Sequence, residues 1–96
     1  MRIFVSSPFR GEVEANTKAA GDHALDVLRA GHVPFVPHTE FSYLQKIKYG
    51  YIIALYLSCK EIEKCDEVWS WGEISEGMRF EQDHAKGLGV KVWVKG

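Results

Sequence analysis

The sequence predicts an α/β fold, a three-layer sandwich in which helices cover both faces of a four-stranded parallel sheet. Short apolar runs with strand character alternate with longer segments of helical periodicity, and the alternation begins and ends with a strand. Because crossovers between successive strands are right-handed, such an order favours parallel pairing. The chain has 96 residues, so we expect residues 1–96 to form a single domain.

The first half of the chain predicts strand, helix and strand. Residues 3–5 form an apolar run that a Ser-Ser-Pro turn ends, and residues 33–37 form a second run. The prolines of the second run cannot donate to a ladder on both sides, which favours an edge strand. Between them a helix extends to Ala30, where Gly31 stops it. Its predicted apolar stripe consists of Val13, Ala20, Ala24, Val27 and Leu28.

The second half predicts one long helix or two shorter ones over residues 39–64, then a strand over residues 67–71. A helix from Ser75 to Gly87 and a last strand over residues 90–94 complete the pattern.

The helical segment from Tyr51 to Leu57 is apolar around its whole circumference. One of its faces can cover the sheet, through Tyr51, Leu55, Ile62 and Cys65. The remaining apolar residues are Ile52, Ile53 and Tyr56, and they need another cover. We expect a second copy of the chain there, which would make the protein a homodimer. Membrane association is the alternative, but the run is short and has no basic rim.

Composition excludes several classes of function. Twelve Lys and Arg stand against 13 Asp and Glu, a net charge of −1, so no overall basic field attracts a nucleic acid polymer. No apolar run approaches the roughly 20 residues that span a membrane, and the N-terminus lacks the apolar stretch of a signal peptide. We therefore expect a cytoplasmic protein in which Cys59 and Cys65 are buried thiols. No histidine pair has the spacing of a zinc site, so we expect neither a metal nor another cofactor.

The strongest functional signal is a carboxylate on an apolar helix face. Glu81 lies within the arc that Met78, Ala85 and Leu88 define, whereas the other charged residues of that helix lie opposite. A carboxylate that faces the sheet must be paired, hydrogen-bonded or protonated. Glu81 is therefore a candidate general acid/base or nucleophile, and a structural ion pair is the alternative.

Three polar segments meet at the carboxyl ends of the strands, where ligands of parallel sheets bind. They comprise residues 6–11, 37–40 and 72–77. Ser75 is predicted to be the N-cap of the last helix. Either the free backbone amides at this end also bind an anion, or the capping by Ser75 is the only role of this turn.

The loop after the first strand lacks both standard nucleotide-binding glycine patterns. Ser7, Arg10 and Gly11 of this loop could still hold a small phosphate, unless Arg10 is an ordinary surface residue. His38 could contact a substrate or move a proton, or it could be structural.

Three segments together resemble the nucleoside 2-deoxyribosyltransferase-like superfamily, in particular small phage and bacterial members: residues 4–11 (FVSSPFRG), 65–69 (CDEVW) and 75–81 (SEGMRFE). The resemblance implies a flavodoxin-like, Rossmann-like fold, a dimer, and cleavage or transfer at the N-glycosidic bond of a nucleoside or nucleotide. It also implies that Glu81 attacks the anomeric carbon and that Arg10, Gly11, Ser75 and Gly77 hold a 5′-phosphate. Ser75, where transferases of unphosphorylated nucleosides carry Asp, favours a 5′-monophosphate.

The sequence departs from the superfamily pattern at two positions. Phe4 stands where many active relatives have a tyrosine, and Ser58 stands where they have an aspartate. Protonation of a leaving group typically contributes about 10²–10⁴-fold, so these departures favour a second hypothesis, a nucleotide-binding module without turnover. Glu40 and Glu73 are the carboxylates expected to reach the same crevice as substitutes.

Overall fold

The sheet has four strands, all parallel, in the order β2-β1-β3-β4. The structure is a computed structural model that describes residues 1–96. The strands are β1 (Arg2–Ser6), β2 (Val33–Phe35), β3 (Glu67–Ser70) and β4 (Lys91–Val94). The predicted parallel α/β sheet and the edge position of the second strand are thus confirmed.

Strand β1 lies in the middle of the sheet and is covered on both faces. Ile3 and Val5 point to one side, where they pack with Val27. Phe4 packs on the other side, and Ser6 shares its face because side chains alternate along a strand. All four residues are buried, so β1 is the rigid element from which the site is built.

Helix α1 (Val13–Arg29) forms one outer layer. It buries Ala20 and Val27 over the face of the sheet that also carries Trp69 and Trp71. The predicted stripe was too wide, because Val13 and Leu28 are exposed. Val13 is the first residue of the helix, and Leu28 follows the buried Val27 on a side that faces solvent.

The segment between β2 and β3 forms three helical pieces, rather than one or two. They are α2 (Pro37–Glu40), a 3₁₀ helix (Ser42–Lys46) and α3 (Gly50–Ile62). The second strand ends at Phe35, so the expected strand over residues 33–37 was too long. Pro37 instead begins α2, because its fixed φ and missing N–H suit the first turn of a helix.

Helices α3 and α4 (Glu76–Gly87) form the other outer layer. Between them and the sheet lies a cluster of buried side chains: Phe4, Ile62, Cys65, Val68 and Ala85. Cys59 and Cys65 are both free and buried. Leu88, expected on the buried arc, is exposed because α4 has already ended at Gly87. None of the helices combines the length and the apolar character needed to cross a membrane.

Gly50 allows α3 to start close to the preceding 3₁₀ helix. A Cβ atom at Gly50 would overlap the backbone carbonyl of Leu44.

We expect Gly50→Ala to destabilise the protein by more than about 1 kcal/mol, because backbone atoms cannot yield as a flexible side chain can. Gly21→Ala is the matched control, since Gly21 lies inside α1 with open space around it. That change should stabilise the protein by about 0.5–1 kcal/mol through helix propensity. Urea denaturation of the two variants measures both effects, and equal stabilities would contradict the close approach at Gly50.

Candidate active site

A narrow pocket opens at the carboxyl end of β1, where the strand order reverses between β2 and β3. It comprises about 360 Å³ including its open mouth. Four elements meet there: the loop after β1, the start of α2, one face of α3 and the first turns of α4. The lining residues are Ser7, Phe9, Pro37, His38, Tyr51, Ala54, Leu55, Ser58, Ser75, Gly77, Met78 and Glu81.

Glu81 lines this pocket and is only 7% exposed. Its Oε1 accepts a hydrogen bond of 2.9 Å from the hydroxyl of Ser6, the last residue of β1. No cation pairs with the carboxylate, so the structural ion pair considered as the alternative is absent. The expectation that the carboxylate faces the sheet is correct.

The protonation state of Glu81 is set by its burial. Removal from water raises the pKa of this carboxyl group to about 8, although the hydrogen bond from Ser6 acts in the opposite direction. The group is therefore largely protonated at neutral pH. A carboxyl group whose pKa lies near physiological pH can exchange a proton or, once ionised, act as a nucleophile.

The first turn of α4 brings backbone amides to the same pocket. Ser75 is the N-cap, as predicted, and its hydroxyl accepts a hydrogen bond of 3.2 Å from the amide of Met78. An α-helix leaves its first amides without intrahelical partners, so those of Glu76 and Gly77 remain for another acceptor. Ser75 therefore caps the helix and leaves two amide donors of its first turn without an intrahelical partner.

Ser7 and His38 place unsatisfied polar atoms in the pocket wall. The imidazole Nε2 of His38 lies 2.7 Å from the carbonyl oxygen of Pro8, to which it donates. Burial lowers the pKa of His38, so the ring is neutral and Nδ1 is left as an acceptor without a partner. The Ser7 hydroxyl is likewise buried and unpartnered. Buried polar atoms of this kind are rare unless a ligand or water satisfies them.

Arg10 and Gly11 do not line the pocket. Gly11 is exposed, and its positive φ of 94° makes it the turn that leads the chain towards α1. Arg10 reaches the mouth indirectly, because its guanidinium lies over the ring of Tyr51, 4.2 Å from the centroid. The structure thus brings together five of the seven predicted site residues, Ser7, His38, Ser75, Gly77 and Glu81, with Arg10 next to them.

Two residues of the site were not predicted from the sequence, and two others that were predicted lie outside it. Ser6 was read as a turn residue, although its place two positions after Phe4 puts its hydroxyl on the Glu81 face. Tyr51 was assigned to the sheet-covering face of α3, yet it lines the pocket. Glu40 and Glu73 are exposed and lie outside the lining, so the structure does not bring either carboxylate to the pocket as expected. Carboxylates are rarely buried unless a partner retains them.

The raised pKa of Glu81 predicts a dependence of stability on pH. Folding shifts the pKa from 4.5 to about 8, so between these values only the folded protein binds the proton. The free energy of unfolding should therefore fall as the pH rises from 5 to 8, by up to about 1.4 kcal/mol per unit of difference in pKa. Glu81→Gln should remove this contribution, which thermal unfolding across that pH range measures. Parallel curves of unfolding free energy against pH for the two proteins would contradict a protonated Glu81 carboxyl group in the folded state.

One known protein family matches the sequence of this chain. The sequence model of a family described as a domain of unknown function, DUF7768, matches residues 1–95. No curated protein matches the chain.

Two solved structures share the fold, each at 18% sequence identity and over 98% of this chain. The first is a 2-deoxyribosyltransferase from the psychrotolerant bacterium Bacillus psychrosaccharolyticus, with a TM-score of 0.75 over 71% of its chain. The second is the CMP N-glycosidase of Clostridium botulinum, with a TM-score of 0.63 over 67% of its chain. These likenesses confirm the nucleoside 2-deoxyribosyltransferase-like fold, and the match over nearly its whole length shows that the chain belongs to the DUF7768 family.

Proposed function

We propose that the pocket cleaves the N-glycosidic bond of a nucleoside or nucleoside 5′-monophosphate, with the Glu81 carboxylate as the nucleophile. The observation that carries this proposal is the buried carboxyl group that faces the pocket and is held by Ser6. Solved structures of the same fold include a deoxyribosyltransferase and a CMP N-glycosidase, which supports this class of reaction.

In the proposed reaction the ionised Glu81 attacks C1′ of the sugar. A C1′–O bond forms, the C1′–N bond breaks, and the base leaves with the electron pair and then takes a proton from solvent. Water then attacks C1′ of the glycosyl ester, gives up a proton and releases Glu81; in a transferase, the nitrogen of a second base attacks instead. A carboxylate also stabilises the positive charge that develops on the sugar in the transition state.

The remaining pocket residues offer contacts to the phosphate at one end of such a substrate and to the sugar or base at the other. Ser75, Gly77 and the first turn of α4 offer amide donors to a phosphate, and Arg10 lies at the mouth. Ser7 and His38 supply one unpartnered hydroxyl and one unpartnered acceptor nitrogen to sugar or base. Gly11 lies outside the lining and contributes only to the course of the loop.

A nucleotide-binding module without turnover is the second candidate. Phe4 is completely buried and stacked on Phe35 at 5.8 Å, so no phenol approaches Glu81 from β1. Ser58 lines the pocket where the superfamily pattern has an aspartate, and a hydroxyl is a poor acid for a departing base. Binding without release of the base would favour this candidate.

The reaction is tested by incubating the protein with deoxynucleosides and deoxynucleoside 5′-monophosphates and separating freed base by chromatography. Glu81→Gln should reduce base release at least 10³-fold while ligand binding, measured by calorimetry, persists. Because attack requires the ionised form, kcat/KM should rise about tenfold per pH unit up to a pH of about 8.

Ser6→Ala is the companion variant. Loss of its hydrogen bond should move the inflection of the profile to higher pH, since this bond lowers the pKa of Glu81. An activity that falls as the pH rises through 8 would instead make Glu81 an acid, and undiminished release by Glu81→Gln would exclude it as the nucleophile.

The exposed face of α3 supports a homodimer. Ile52 and Tyr56 are 63% and 61% exposed, and Phe80 of α4 borders the same groove. A second copy that covers this apolar groove would remove it from water, the usual role of such a patch.

We expect a dimer in sedimentation velocity of the unmodified protein, and a monomer for Ile52→Lys. Leu28→Lys is the matched control, because Leu28 is 58% exposed but lies on α1 in the opposite layer. A monomeric wild type, or equal effects of the two variants, would contradict this interface.

A further inference from the structure

Tyr51 lies at the mouth of the pocket, where three elements meet. It is the second residue of α3, and its ring contacts Phe9 with 6.1 Å between the centroids. The guanidinium of Arg10 lies over this ring at 4.2 Å from the centroid. Tyr51 therefore holds the one cation of the β1 loop beside the pocket.

The hydroxyl of Tyr51 reaches the first turn of α4. A Cβ atom at Gly77 would collide with this oxygen, so the absence of a side chain at Gly77 is what admits the phenol. The amides of Glu76 and Gly77, which have no intrahelical partner, lie at the same turn. Burial raises the pKa of Tyr51, which keeps the hydroxyl protonated and able to donate at neutral pH.

Arg10 is free to bind an anion. It takes part in none of the ion pairs of the structure, and its side chain is exposed. Two residues that line the adjoining pocket have a buried polar atom without a hydrogen-bond partner, namely the Ser7 hydroxyl and Nδ1 of His38. Donors from the β1 loop, α3 and α4 thus surround one small space.

We propose that Tyr51 is the residue by which this pocket selects a phosphorylated ligand over one that ends in a hydroxyl. Its hydroxyl donates to the phosphate, its ring orients the Arg10 guanidinium towards the same group, and the first turn of α4 closes the other side. This inference rests on the proposed function for the nature of the ligand, a nucleoside 5′-monophosphate. It gives Gly77 a second role, since its lack of a side chain makes room for the phenol as well as for the ligand.

The test compares the four deoxynucleoside 5′-monophosphates with the corresponding deoxynucleosides by titration calorimetry at low salt, using unmodified protein and Tyr51→Phe. The variant keeps the ring on which Arg10 lies and loses only the hydroxyl. We expect monophosphate binding to weaken about tenfold, the scale of a hydrogen bond to a charged group, and deoxynucleoside binding to change less than twofold. Tyr56→Phe, an exposed tyrosine on the same helix, should change neither affinity.

Three results would overturn the proposal: equal weakening for both ligand classes, no weakening for either, or unmodified protein that binds no monophosphate more tightly than its deoxynucleoside. The first would mean that Tyr51 only packs the pocket. Base release is measured separately with the same proteins. A phosphate preference that depends on Tyr51, without any base release, would reject the proposed reaction but keep the selectivity. Base release together with a phosphate preference that is unchanged in Tyr51→Phe would keep the proposed reaction and reject the role of Tyr51 in selectivity.

Discussion

The hydrogen bond between Ser6 and Glu81 joins the end of the central strand to the helix that covers it. Glu81 is almost completely removed from water and has no cationic partner, so this single donor is the only hydrogen bond that favours its ionised form. A carboxyl group in such surroundings holds its proton up to unusually high pH. The pocket therefore contains a carboxyl group that is largely protonated at neutral pH and ionises near pH 8.

The same bond shows that β1 places a hydroxyl on the Glu81 carboxyl group although Phe4 carries none. Residues 4 and 6 face the same side of β1, because side chains alternate along a strand. Phe4 is part of the apolar cluster beneath α3 and α4, and Ser6, one pleat nearer the carboxyl end, makes the polar contact.

Close approaches between helices shape the rest of the site. Gly50 and Gly77 each lack a side chain where another group occupies the space, the Leu44 carbonyl in one case and the Tyr51 hydroxyl in the other. The two glycines thereby fix the start of α3 against the 3₁₀ helix and its first turn against α4. The pocket is bounded both by this packing and by large side chains in its wall, among them Phe9, Tyr51 and Met78.

The amino-acid pattern alone determined the parallel α/β sheet, the inward position of Glu81 and the cap at Ser75, because each depends on local periodicity or on one helix turn. It also located the loops that meet at the pocket, since the carboxyl ends of parallel strands share one edge. The tertiary structure decided what depends on distance between separate elements: the bond from Ser6 to Glu81, the place of Tyr51 over Gly77, and the exclusion of Glu40 and Glu73. Hydrophobic periodicity predicts which side of its own helix or strand a side chain faces. It carries no information about how close two helices come or which group fills the space between them.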